Sequence, residues 1–272
     1  MFKGFTNTNP LIKTVSRPAG TSMGGFIQHG LPSNLKLGQQ GCVPEEGLVA
    51  RFRADTNITL NGSNVAAWAD TTGTYTLSQA TSTSQPAFAP ANTTPFLNYK
   101  PAVYLTNGKY LSLSNTFGIN TEPVRGVFAV LYNQAYTNVT GNLINFYSGS
   151  AGSYTLYDYD GSNGTYATYT NPPVPTIVRP FTQHTLNTVW LAGIEINRST
   201  GLFYTYNYNT APDWRTIQTT LTDYSTGTFY VTGNTAGWYL AELLIYNQSI
   251  VTASVTTRNN LLYYVKNHYG LG

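Results

Sequence analysis

An all-β jelly-roll sandwich, with one short C-terminal helix and an extended N-terminal arm, is the fold that the sequence predicts. Three observations predict it: a dozen short apolar runs separated by turn clusters, one stretch of helical period near the C-terminus, and a first stretch with no sustained period of either kind. At 272 residues the chain suits one large sandwich rather than two domains. The expected division is an anchoring arm over residues 1–44 and a jelly-roll domain over 45–272.

The arm is broken throughout by glycine and by Pro10, Pro18, Pro32 and Pro44. A disordered tail is the simplest reading, yet Phe2, Phe5, Leu11, Ile12, Phe26, Ile27 and Leu35 make it more apolar than a solvated linker. An arm that docks on another surface, or on a copy of the same chain, fits better. Lys3, Lys13, Arg17 and Lys36 all precede the first acidic residue, Glu45, so the arm carries +4 while the remainder nets −1. Four charges over that length are too sparse to favour nucleic acid, and a protein surface is the expected partner.

From Gly47 onward the candidate strands are 48–53, 64–69, 101–105, 109–113, 125–132, 142–147, 154–159, 165–170, 188–196, 201–208, 227–232 and 237–246. Asn171-Pro172-Pro173-Val174-Pro175 reads as a stiff loop, because proline cannot donate to a strand ladder. No long repeat marks a propeller or solenoid. The helix follows from Val251, Val255, Leu262, Val265 and Tyr269 at helical spacing, with Thr252 able to cap its start and Gly270 its end.

Charged residues are only 9% of the chain, against about 25% in ordinary soluble domains, and aromatics reach 14% with 22 Tyr and 12 Phe. Solubility therefore rests on hydroxyls and amides, as on many proteins that work outside cells. Cys42 is the single cysteine, which excludes an intramolecular disulfide and a cysteine-rich zinc site. No apolar run approaches the roughly 18–20 residues that span a bilayer, so no membrane insertion is expected. Met1-Phe2-Lys3-Gly4-Phe5-Thr6-Asn7 also lacks the continuous apolar segment of a cleaved secretion signal.

Four segments together resemble the laminin-G-like, concanavalin-A-like lectin superfamily. They are Gly47-Leu48-Val49-Ala50-Arg51-Phe52-Arg53-Ala54-Asp55 followed by Val65-Ala66-Ala67-Trp68-Ala69-Asp70; Lys100-Pro101-Ala102-Val103-Tyr104-Leu105 leading to Tyr110-Leu111; Val127-Phe128-Ala129-Val130-Leu131; and Gly237-Trp238-Tyr239-Leu240-Ala241-Glu242-Leu243-Leu244-Ile245-Tyr246-Asn247 running into the helix. The resemblance covers residues 47–270. It implies a concanavalin-A-like jelly-roll of two facing antiparallel sheets, usually a binding or structural module of bacterial or phage surface proteins. It is silent on the arm and on the ligand.

Aromatic rings are the stronger functional signal, because sugars stack C–H faces on flat rings while nearby amides and hydroxyls meet their hydroxyl groups. Tyr204, Tyr206 and Tyr208 alternate along one expected strand and so share a face, with Trp214 placed in the following loop. Tyr154, Tyr157, Tyr159, Tyr166 and Tyr169 flank the Asp160-Gly161 turn, and sheet packing is the competing role for all of these rings. Trp68, Trp190 and Trp238 sit inside apolar strands and are expected to fill the core, which leaves Trp214 as the best contact residue.

Asp158, Asp160 and Asn163 have the oxygen density of part of a calcium loop, but no bidentate Glu closes it, so a hairpin turn is the stronger reading. No other cofactor is suggested. Glu195 and Glu242 each stand alone on a strand, where a retaining glycosidase needs two carboxylates about 5–5.5 Å apart, and no catalytic residue is assigned.

An extracellular-looking surface without an export signal suits a virion protein, since phage parts assemble in the cytoplasm and leave at lysis. The leading expectation is a non-enzymatic structural protein of a virion, either a capsid decoration or a tail or fibre component of a bacteriophage. Its arm would hold other virion proteins or copies of itself, and its lectin-like domain would face outward for protection or adhesion to a cell-surface glycan. The alternative is a free, extracellular carbohydrate-binding lectin module; a polysaccharide-active enzyme is third.

Overall fold

The structure is a computed structural model describing residues 42–114, 117, 123–134, 141–147, 153–158, 165–171, 174–178, 186–197, 202–208, 212–218, 227–233, 237–250 and 254–271. Within 153–178 and 202–218 it describes backbone pairing. All these residues belong to one compact unit, Gly41–Gly272. The arm, with Phe2, Phe5, Leu11, Ile12, Phe26, Ile27 and Leu35, lies outside the described residues except at its end. There Val43 is buried, and the Pro44 carbonyl accepts a hydrogen bond from the Tyr246 hydroxyl at 3.1 Å.

The first seven strands are β1 (Leu48–Arg53), β2 (Ile58–Asn61), β3 (Asn64–Ala69), β4 (Thr76–Ser78), β5 (Ala87–Ala89), β6 (Ala102–Leu105) and β7 (Tyr110–Leu113). The next five are β8 (Val124–Tyr132), β9 (Gly141–Tyr147), β10 (Ser153–Asp158), β11 (Thr165–Asn171) and β12 (Val174–Val178). The last are β13 (Val189–Asn197), β14 (Leu202–Tyr208), β15 (Pro212–Gln218), β16 (Thr228–Thr232) and β17 (Trp238–Tyr246), followed by helix α1 (Val255–Tyr269). The fold is the expected all-β sandwich with one C-terminal helix.

Antiparallel pairing runs β15, β14, β13, β8, β17 in one layer, and β1 and β6 share the far edge of β17. The other layer runs β12, β11, β10, β9, β16, β7, with β2 to β5 bridging the two layers along one side. Between the layers sits the first core: Val127, Ala129, Leu131, Trp190, Leu243 and Ile245 face Leu111, Ile144, Phe146, Phe229 and Val231. Trp68, Trp190 and Trp238 are fully buried, as expected.

β8, β13 and β17 are apolar nearly without alternation because both of their faces are covered. Their inner face meets the other layer. Their outer face carries Phe128, Val130, Leu191, Leu244 and Tyr246 under α1, forming a second core with Leu261, Tyr264, Val265 and Tyr269. Gly193 is part of this fit: a Cβ there would stand 2.5 Å from Phe128 Cδ1.

Several expectations need correction. The α1 cap is Ser254, whose hydroxyl oxygen accepts from Thr257 N, rather than Thr252, which lies outside the described residues together with Val251. Gly270 ends the helix as expected, at φ 78° with its N–H donated to the Lys266 carbonyl. Val255 is 62% exposed, whereas Val265 and Tyr269 are buried as expected, Leu262 is partly buried, and Leu261 and Tyr264 complete the buried stripe. The stretch read as a proline loop contains β12, where Pro175 stands opposite Thr170. Among the described residues β12 pairs only with β11, and an edge strand tolerates a residue that cannot donate.

Candidate functional site

Three tyrosines stand in one cross-strand row on the outer face: Tyr104 of β6 is opposite Tyr239 of β17, which is opposite Tyr132 of β8. The Tyr104 and Tyr239 rings stack at 4.5 Å between centroids. Phe96, from the short turn Pro95–Leu97, stacks on Tyr132 at 3.8 Å and meets Tyr239 edge-on at 4.9 Å. Tyr104, Tyr239 and Phe96 are half-buried, so each presents part of a ring to solvent. The Tyr132 hydroxyl donates to Asn187 Oδ1 at 3.3 Å, which sets an amide beside the rings. Gly237, at φ 73°, lies against Tyr104: a Cβ there would stand 2.7 Å from the Tyr104 hydroxyl oxygen.

The strand register places Tyr204, Tyr206 and Tyr208 at alternate positions of β14, as the sequence predicts. Tyr204, Tyr206 and Tyr208 stand opposite Glu195, Gly193 and Leu191, which continue across β8 to Gly126, Phe128 and Val130. Trp214 is not in a loop. It lies on β15 directly opposite Tyr206, because Pro212 opens that strand at a position where proline is tolerated. In the other layer Tyr154 is opposite Tyr169 and Tyr157 is opposite Tyr166. Asp158 pairs with Thr165 at the end of that hairpin, whereas Tyr159, Asp160 and Asn163 lie outside the described residues. Among the described residues no group of three His, Cys, Asp or Glu side chains could hold a metal, and no helix is long and apolar enough to cross a membrane.

Both buried strand carboxylates serve α1 and the segment before it. Glu242 accepts from Arg51 Nε at 2.6 Å, from the Tyr264 hydroxyl at 2.7 Å and from the Tyr269 hydroxyl at 2.6 Å. Arg51 also donates through a terminal guanidinium nitrogen to the Tyr264 hydroxyl at 2.7 Å. Glu195 accepts from the Ser249 hydroxyl and, at 2.8 Å, from Ile250 N. Burial, and after it the negative charge of Glu242, push the Tyr246, Tyr264 and Tyr269 hydroxyls above the usual tyrosine range. With its oxygens engaged by three donors and shielded from solvent, Glu242 acts as a tether for the helix.

At the end of α1, burial and the nearby cations Lys100, Arg53 and Arg51 lower His268 from its ordinary 6.5 to about 4, and Asp55 opposes them only in part. Below 6.5 the unfolded chain takes up a proton that the folded chain refuses until about pH 4. Stability is therefore expected to fall as pH drops through that window. His268→Gln should flatten that part of the profile in urea titrations.

No family model and no curated protein matches the chain. Solved structures do. Domain 4 of AbnA, a GH43 extracellular arabinanase from Geobacillus stearothermophilus in complex with arabinotriose, superposes with TM-score 0.56 at 16% identity, over 79% of this chain and 98% of that one. Trypanosoma rangeli sialidase in complex with 2,3-difluorosialic acid gives TM-score 0.58 at 12% identity, over 87% of this chain and 35% of the sialidase. The binding domain of botulinum neurotoxin DC in complex with SialylT gives 0.53 at 11%, over 80% and 51%. The chain thus spans about half of the neurotoxin chain and about a third of the sialidase. At these identities the likeness is one of fold, and it agrees with a β-sandwich for this chain.

Proposed function

We propose that the chain is a non-catalytic carbohydrate-binding module and that its sugar-contacting surface is the part of the first layer's outer face around Tyr104, Tyr239 and Phe96. The observation that carries this is the group of partly exposed rings Tyr104, Tyr239 and Phe96 stacked around the buried Tyr132, continuing by register toward Tyr208, Tyr206 and Trp214. Flat rings beside amides are what a pyranose or furanose needs, apolar C–H faces on one side and hydrogen-bonding edges on the other. Support comes also from the names of the similar structures, which record arabinotriose, SialylT and 2,3-difluorosialic acid as ligands of those proteins.

Attachment to a virion as a capsid decoration or tail component has no support among the structures named above. Carbohydrate binding therefore takes precedence over assembly, and a cell-surface or polysaccharide glycan is the proposed partner. A glycan array on the full chain, followed by titration calorimetry of the best ligand, tests this reading. Tyr104→Ala, Tyr206→Ala and Trp214→Ala should each weaken binding about tenfold, the order expected for one lost ring contact. Wild-type affinity in all three, with unchanged melting temperatures, would remove the sugar from this face.

A further inference from the structure

We infer that the outer face of the second layer is a second sugar-binding surface, suited to an uncharged linear oligosaccharide and separate from the rings around Tyr239. One cross-strand row carries the inference. Ser78 of β4 stands opposite Ser112 of β7, Ser112 opposite Tyr230 of β16, and Tyr230 opposite Asn145 of β9. By register the row continues through Thr155 of β10 to Thr168 of β11. Each of these residues bears a hydroxyl or an amide, and none is charged.

Strand alternation decides which way the row points. Phe229, Val231, Leu111, Ile144 and Phe146, the neighbours of the row along its own strands, fill the core between the layers. Tyr230, Ser112 and Asn145 therefore face outward and are half-buried, and Ser78 is exposed. The outer face of the first layer is largely taken up by α1, whereas among the described residues no buried apolar cluster lies on the outer face of the second. Tyr110, on the same side of β7 as Ser112, brings another half-buried ring to 5.9 Å from that of Tyr230, tilted by 60°.

The chemistry of the row selects the ligand. The Ser112 hydroxyl donates to the Ser78 carbonyl at 3.4 Å, and the Asn145 side-chain oxygen has no hydrogen-bond partner among the described residues. Two rings beside hydroxyls and an amide offer a sugar both C–H stacking and hydrogen bonds. An uncharged row gives a carboxylate or an ammonium group no ion to pair with, so it favours neutral sugars. Neighbouring strands lie about 4.8 Å apart, so the row extends on the order of 20–25 Å across the sheet, the length of several linked sugars rather than one.

The inference rests on the carbohydrate reading above, and its test separates the two. The full chain is titrated calorimetrically with maltohexaose, cellohexaose and xylohexaose, with the corresponding disaccharides and with sialyllactose, alongside Tyr230→Ala, Ser78→Arg and Tyr104→Ala. Because Ser78 is exposed, Ser78→Arg sets a bulky charge on the row without removing a core contact. At least one hexasaccharide should bind about tenfold or more tighter than its disaccharide, and Tyr230→Ala and Ser78→Arg should each weaken it about tenfold, the latter at an unchanged melting temperature. Tyr104→Ala should still bind it. Hexasaccharide binding lost in Tyr104→Ala but kept in both row variants overturns this face and leaves the ring group standing, as does binding of sialyllactose alone. A hexasaccharide held no more tightly than its disaccharide, or no hexasaccharide bound at all, overturns it too. Binding lost in both row variants but kept in Tyr104→Ala supports this face independently of the ring group.

Discussion

Glu242→Ala is expected to destabilise the domain by about 3–5 kcal/mol, the cost of breaking a buried ion pair from one side. Glu242 is fully buried and accepts three hydrogen bonds, from β1 through Arg51 and from α1 through Tyr264 and Tyr269. Its removal leaves a guanidinium and two hydroxyls without their acceptor beneath the helix. Urea denaturation gives the loss in stability, and limited proteolysis should show α1 cut before the sandwich. Tyr269→Phe removes one of the three bonds and should cost roughly 1 kcal/mol. A Glu242→Ala variant within that smaller range would mean that the apolar stripe of Leu261 and Val265 holds the helix unaided.

Trp68→Ala should cost a similar amount, about 3–5 kcal/mol for a large aromatic deleted from a close-packed core. Trp68 is fully buried on β3, meets Phe52 edge-on at 5.8 Å and donates its indole N–H to the Arg53 carbonyl at 2.9 Å. The side chain therefore ties a bridging strand to β1 by both packing and a hydrogen bond. Trp68→Phe keeps much of the ring contact but loses the donor, and should fall well short of the alanine variant. Denaturant midpoints should shift with little change in slope if the unfolded state is unaffected. Equal stability of the two variants would show that the hydrogen bond, not the ring, carries the contribution.

Much of the sandwich was legible in local sequence. β1 and β3 fall where their runs of Val, Ala, Phe and Trp put them, and the long apolar runs of β8, β13 and β17 announce themselves. β2, β4 and β5 escaped because three or four residues rich in Thr, Ser, Asn or Ala carry too little alternation. β12 and β15 escaped because Pro175 and Pro212 look like breakers until the edge pairing and the strand start are known. The helix was legible as a helix, and its buried stripe was legible in part, at Val265 and Tyr269 but not at Leu261 and Tyr264. Tyr264 and Tyr269 turn inward because their hydroxyls find Glu242, a partner supplied by another element.

The candidate site divides the same way. Alternation put Tyr204, Tyr206 and Tyr208 on one face, and the register agrees and adds Trp214 opposite Tyr206. The Tyr104, Tyr239, Tyr132 and Phe96 group carried no local signal, since its rings come from four separate segments. By itself the sequence determined an all-β chain closed by one glycine-capped helix, because strand alternation, helical period and a C-terminal cap are properties of neighbouring residues. Only the tertiary structure decided which rings gather on the outer face and which carboxylates are buried. Those outcomes depend on partners far apart in the chain, as Arg51 and Glu242 are at a separation of 191 residues, and no local pattern encodes them.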